Sequence, residues 1–272
     1  MSLLVLNYKL SQKGINRNEK MFKNRVIFAV FWIVLYVVTV NIGDFLSEVY
    51  KLNYLTAVCV LLFAVSLAIY ILISRTKLVF ESKNISKNRS ILIYTPLIII
   101  SLIQLIKGID NSMSEEFFLT IIGLMIGVGF IEEIVFRGFL LKAIQERSNV
   151  IKAIIISGVT FGAGHLVNLS RGYGYNELIA QIIVATVIGI MLSMLVVSTK
   201  KIYPGILFHI VFNITGSITV NNQIFDVYIL LLILLITIPS CLYLFRIIKR
   251  DIISNNKESN KNILIEENKG YE

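Results

Sequence analysis

The chain is poor in the groups that common hydrolase and redox chemistries require. Its two cysteines, Cys59 and Cys241, lie in different apolar segments without CxxC spacing, so they read as ordinary buried residues and say nothing about redox compartment. HExxH is absent, which argues against a zinc protease of that type. Every aspartate (Asp44, Asp110, Asp226, Asp251) lies in or beside a loop, so no aspartyl dyad is available, and no serine has a GxSG setting. No internal repeat points to a transporter of inverted halves. The start lacks a small-residue cleavage pattern, so the first apolar segment is expected to be retained.

What the chain has in excess is apolar length. Of 272 residues 56% are hydrophobic, 16% are charged and three are proline, more apolar surface than one soluble core could bury. The class is therefore all-α, a polytopic transmembrane helix bundle. Windows of about 20 apolar residues place eight spans near 26–43, 54–74, 91–106, 117–141, 150–168, 177–198, 203–217 and 227–248, the third and seventh short.

The net charge of +9 follows the loops. The leader (Lys9, Lys13, Arg17, Lys20, Lys23, Arg25) is basic, the next connection carries Asp44 and Glu48, and the one after is basic with Arg75, Lys77, Lys83, Lys87 and Arg89 against Glu81. Alternation continues through Asp110, Glu115 and Glu116, then Lys142, Arg147 and Lys152, then Lys200 and Lys201, then Asp226, then Lys249 and Arg250. This fits an even number of spans with both termini cytoplasmic. The basic excess thus reports membrane orientation, and nucleic acid is not expected as a partner. The expected organisation is a cytoplasmic leader 1–25, a transmembrane domain 26–248 and a polar cytoplasmic tail 249–272, disordered after Asp251.

Ionisable side chains in a bilayer interior are costly, about 2.5–3.5 kcal/mol each on insertion scales, and so mark functional sites. "FIEEIVFRGF" places Glu132, Glu133 and Arg137 in one span, and the only two histidines, His165 and His209, also fall inside apolar segments. Residues four apart share a helix face, which pairs Glu133 with Arg137, Phe161 with His165 ("FGAGH") and His209 with Asn213 ("HIVFN"). Glu133 is expected to be braced by Arg137, leaving Glu132 as the free carboxylate, suited to general-base work on water. His165 could share that proton or orient the water, and His209 with Asn213 could donate to an oxyanion. The competing reading is a structural polar network that holds three helices in register. "GLMIG" (Gly123, Gly127) and "GVTFG" (Gly158, Gly162), both GxxxG patterns, permit close helix approach on the two helices that carry Glu132 and His165.

"EEIVFR", "FGAGH" and "HIVFN", in that order on successive helices, resemble the EExxxR, FxxxH and HxxxN motifs of the CPBP (Abi) intramembrane protease family, which includes the type 2 CAAX prenyl endopeptidases. The resemblance covers Glu132 to Asn213, within a protease core at about 117–217. It implies an eight-helix bundle with a water-filled cavity. It also implies a glutamate protease in which Glu132 and His165 activate water and His209 and Asn213 form the oxyanion hole, with Glu133, Arg137 and Phe161 in support. Two histidines and a glutamate could hold zinc as His2Glu. No metal is the favoured expectation, because Asn213 is a poor zinc ligand and a good oxyanion donor. A composition rich in Ile, Lys and Asn suggests a bacterial membrane and, through the family, leader removal from secreted peptides rather than cleavage of a prenylated protein. The second functional reading is a noncatalytic bacteriocin-immunity or scaffolding protein of the same fold.

Straight spans at 1.5 Å per residue would put Glu132 and His165 at different depths. Either the fourth helix breaks near Gly138, sending "FLLKAIQERS" along the interface, or the fifth begins later than residue 150.

Overall fold

The computed structural model describes the backbone of residues 2–74 and 90–269; side chains are described from residue 24 onward within that range, except 170, 223–224, 255–256 and 258–269. The basic loop residues Arg75 to Arg89 and the leader side chains Lys9 to Lys23 lie outside it. The chain forms eight helices in this range. They are α1 (Ser2–Tyr50), α2 (Leu55–Ser74), α3 (Ile91–Lys107), α4 (Glu115–Gln145), α5 (Val150–Gly164, continued by a 3-10 turn His165–Arg171), α6 (Tyr175–Thr199), α7 (Tyr203–Ser217) and α8 (Gln223–Lys269).

Six helices have the length and apolarity to cross a bilayer, so the protein is a multi-pass helical membrane protein. Their outward faces are apolar, with Phe31, Val34 and Val38 on α1 and Leu62, Val65 and Leu72 on α2 exposed. The eight-span expectation narrows at α3 and α7. The 15 residues of α7 reach about 22 Å, short of a hydrocarbon core of about 30 Å. They can be short because α7 packs on α4 and α3, where protein satisfies the polar groups at its ends. Gln104 donates to the Phe212 carbonyl (2.9 Å) and Thr215 to that of Ser101 (2.7 Å). Beyond them the two following loops pair: Asp110 N–H donates to Ile218 O (2.9 Å) and Val220 N–H to Gly108 O (3.0 Å).

α4 begins with Ser114 accepting from Phe117 N–H and with Glu115 and Glu116 in its first turn, where the helix dipole favours anions. It does not break at Gly138. It passes into a π segment, Ile134–Leu141, and resumes as α-helix to Gln145. α5 starts at Val150, capped by Asn149, which accepts from Ile151 N–H at 2.7 Å. Both alternatives offered for the depth problem are therefore wrong. Depth is set by the short turn 146–149: Glu132 lies 13 residues before Gln145 and His165 15 after Val150, about 20 and 22 Å from the same end. The end of α4 near Glu115 simply overshoots, because α4 is 31 residues long. Ring contact between Phe136 and Phe161 (5.2 Å) locks this pairing.

The glycine patterns work as expected where α5 meets α6. A Cβ on Gly158 would lie 2.8 Å from Ile190 N and one on Gly162 2.0 Å from Thr186 Oγ1, so these backbones touch. The tail differs from expectation: α8 runs on to Lys269 rather than ending near Asp251. Extending a formed helix needs no new nucleus, and the Lys, Glu and Asn of this stretch do not break one.

Candidate functional site

The site forms where the π segment of α4 meets α5, α6 and α7. Glu133 and Arg137 are fully buried and paired at 2.7 Å, as the spacing predicts. The guanidinium also donates to Gly189 O on α6 (3.3 Å) and lies 4.3 Å above the Phe161 ring. Changing the helical register frees backbone carbonyls, and that of Phe136 accepts from Ser157 on α5 at 2.9 Å. Ser193 on α6 backs Ser157 (3.3 Å) and donates to Gly189 O (2.8 Å). A π segment is rare and tends to occur at functional sites; here serines from two neighbouring helices sustain it.

Glu133 also faces His209 on α7, Oε1 to Nδ1 at 3.2 Å. Its second oxygen has no hydrogen-bond partner among the described residues and packs on Gly205, whose Cβ would stand 2.9 Å away. The absent side chain at 205 makes room for the carboxylate.

Glu132 is not the free carboxylate that helical spacing alone suggests. Its Oε2 lies 3.2 Å from His209 Nε2, and its Oε1 accepts from the buried Tyr36 phenol of α1 at 2.9 Å. The expectation failed because both partners come from other helices. His209 is thus bracketed by two carboxylates, one at each ring nitrogen, and a ring that carried hydrogen on both nitrogens would donate to both.

His165 sits at the end of α5, half-buried, with Nδ1 3.2 Å from Phe161 O. Phe161 meets both imidazoles edge-on, at 5.3 Å from His165 and 5.5 Å from His209. The structure therefore joins Glu132, His209, Glu133 and Arg137 directly, whereas no hydrogen bond among the described residues links His165 to Glu132. Asn213, one turn beyond His209, is half-buried and its amide makes no hydrogen bond among those residues. Exposure is graded: Glu133 and Arg137 are sealed, the Glu132 side chain is 14% exposed, and His165 and Asn213 are half-buried.

Among the described residues no three His, Cys, Asp or Glu side chains are grouped so that they could hold a metal ion. Of the His2Glu set, Glu132 and His209 are in contact, and among the described residues no hydrogen bond ties His165 to either. An apolar crevice of about 270 Å³ bounded by Leu97, Met191, Leu195, Pro239 and Tyr243 is lined by none of the site residues.

Sequence reasoning missed Tyr36, Ser157, Ser193 and Gly205. The only hint for Tyr36 is a phenol amid the apolar run "WIVLYVV".

With this geometry in place, residues 114–215 match a protein-family model, Type II CAAX prenyl endopeptidase Rce1-like. The match spans all of Glu132, Glu133, Arg137, Phe161, His165, His209 and Asn213. Against curated proteins the chain finds no match.

Proposed function

We propose, from the match of residues 114–215 to the Rce1-like type II CAAX prenyl endopeptidase family model, an intramembrane endopeptidase that uses Glu132 as its base. The observation that carries this reading is the Glu132–His209 contact beside the buried Glu133–Arg137 pair, within the matched residues. A water beside Glu132, oriented by His165, gives its proton to Glu132. The resulting hydroxide attacks the scissile carbonyl carbon. As Glu132 becomes neutral, its charge-assisted bond to His209 weakens, and His209 Nε2–H and the Asn213 amide turn to the oxyanion. Collapse breaks the C–N bond, and the leaving amine takes the proton from Glu132. Glu133 and Arg137 hold His209 from the sealed side, and Phe161 fixes the spacing of the two imidazoles.

The substrate is a membrane-associated peptide or protein tail; bilayer lipid is the other partner, and nucleic acid has no part. The setting is a bacterial membrane with both chain ends in the cytoplasm, which agrees with the charge alternation of the loops.

Full-length protein in proteoliposomes, offered quenched-fluorescent peptides with and without a prenylated C-terminal cysteine, tests the proposal. Wild type cuts a subset, and folded Glu132→Gln and Glu132→Ala cut none. Variants that cut every peptide at the wild-type rate overturn the mechanism. Protection of cells from a bacteriocin that survives Glu132→Ala, His165→Ala and His209→Ala would favour the noncatalytic reading instead.

A further inference from the structure

The matched domain begins at residue 114, yet one oxygen of its proposed base is held from outside it. α1 is tied to that domain at three depths. At the start of its long apolar stretch, Asn24–Tyr50, Arg25 pairs with Glu146; in the middle of that stretch the Tyr36 hydroxyl donates to Glu132 Oε1 at 2.9 Å; toward its far end Asp44 Oδ2 binds Arg171 Nη2 at 2.5 Å. Arg171 ends the 3-10 turn that His165 begins, and it also donates to Asn168 within that turn (3.2 Å). Thr56 on α2 steadies Asp44 by donating to Oδ1 at 2.9 Å. Between these ties Phe28 packs on Phe139 of the π segment at 5.3 Å, with Trp32 beside it. One helix therefore seats both the carboxylate and the segment that presents His165.

Tyr36 is suited to position Glu132 without blocking it. A carboxylate has about four lone-pair sites; the phenol takes one on Oε1 and His209 one on Oε2. One site on each oxygen is left for water. The phenol also fixes the side-chain rotamer, which in a helix would otherwise exchange among staggered wells. Tyr36 is itself held, 9% exposed, with its ring tilted against Phe63 at 6.3 Å.

We infer that Tyr36 is a positioning residue for Glu132, so that α1 completes the active site; this rests on the reading of Glu132 as the base. The test is Tyr36→Phe in the full chain, which removes one oxygen atom and keeps the ring. With a peptide that wild type cuts in proteoliposomes, kcat falls roughly 10- to 100-fold, the scale of a misplaced catalytic group, while KM stays within about twofold. Tyr36→Trp, which restores a ring N–H donor at a different reach, recovers less than the whole loss.

An infrared arm reads the contact without turnover. The Glu132 carboxylate bands, isolated as the difference between wild type and Glu132→Gln, shift when the comparison is repeated in a Tyr36→Phe background. A folded Tyr36→Phe protein with kcat within twofold of wild type overturns the inference. If Glu132→Gln cleaves at full rate, the proposed function fails and the catalytic half of this inference fails with it. The infrared arm then decides separately whether Tyr36 seats that carboxylate, and unshifted bands reject the contact as well.

Discussion

Arg137→Met is the most informative single change to the sealed side of the site. Arg137 is fully buried and serves three groups: the Glu133 carboxylate at 2.7 Å, Gly189 O at 3.3 Å and the Phe161 face at 4.3 Å. Methionine keeps much of the volume, so the effect is chiefly electrostatic. It removes the guanidinium that faces Glu133, a carboxylate with no exposure. Breaking a buried pair from one side costs about 3–5 kcal/mol, and the lost cation–π contact adds about 1 kcal/mol. At about 2–4 °C per kcal/mol for a chain of this size, the midpoint falls on the order of 10 °C. Glu133→Gln combined with Arg137→Met removes both charges of the pair and should recover at least half of that loss, because no sealed carboxylate is then left facing the missing guanidinium. The assay is thermal unfolding in mild detergent, read by fluorescence-detected gel filtration, across the four proteins of the cycle. A loss under about 1 kcal/mol for Arg137→Met, the scale of an exposed ion pair, would refute the argument; so would strict additivity in the double variant.

Three further outcomes are expected. Gly205→Ala drives a methyl against Glu133 Oε2, 2.9 Å from the position a Cβ would take. Overpacking of this kind costs about 1–3 kcal/mol, and Glu133→Ala in the same chain should relieve much of the clash in the same unfolding assay. Ser157→Ala strands the Phe136 carbonyl of the π segment, for about 1–3 kcal/mol, whereas Ser157→Thr should be tolerated better because it keeps the hydroxyl. Outside the membrane, the Ser112 hydroxyl and N–H hold the Asp110 carboxyl below its usual value of 3.8. A depressed folded-state value means a contribution fully present above about pH 4 and lost as pH falls beneath it. Asp110→Asn should therefore flatten the acid side of the stability profile below that point and leave the neutral range unchanged, which unfolding midpoints against pH would show.

Helical spacing carried much of the site because its key pairs are local. Glu133 and Arg137 are four apart on one helix, and so are Phe161 and His165, so their proximity needs no knowledge of packing. Tyr36 was invisible for the converse reason: its partner is 96 residues away, and nothing in a 3.6-residue repeat says which helix lies opposite. The same limit made Glu132 look unpaired. It also hid the π segment, since the serine that satisfies the Phe136 carbonyl belongs to another helix.

At α3 and α7 the segments that hydropathy marks form helices shorter than the six long apolar ones. Hydropathy measures whether a segment can leave water, not whether lipid or protein surrounds it. α7 is 15 residues long and packs against α3 and α4. Length constrains only helices that must match the bilayer.

The short α7 also bears on how the site is built. Because it need not cross the whole bilayer, its register against α4 is free to follow side-chain contacts, and those contacts are close. Gly129 of α4 lets the Ile210 backbone approach to within 2.9 Å of where a Cβ would stand, and Gly205 of α7 admits Glu133 in the same way. These two glycines fix α7 so that His209, lying between positions 205 and 210, falls between the two carboxylates. The position of His209 therefore follows these close backbone contacts with α4, while Tyr203 and Leu207 on another face of α7 stay exposed.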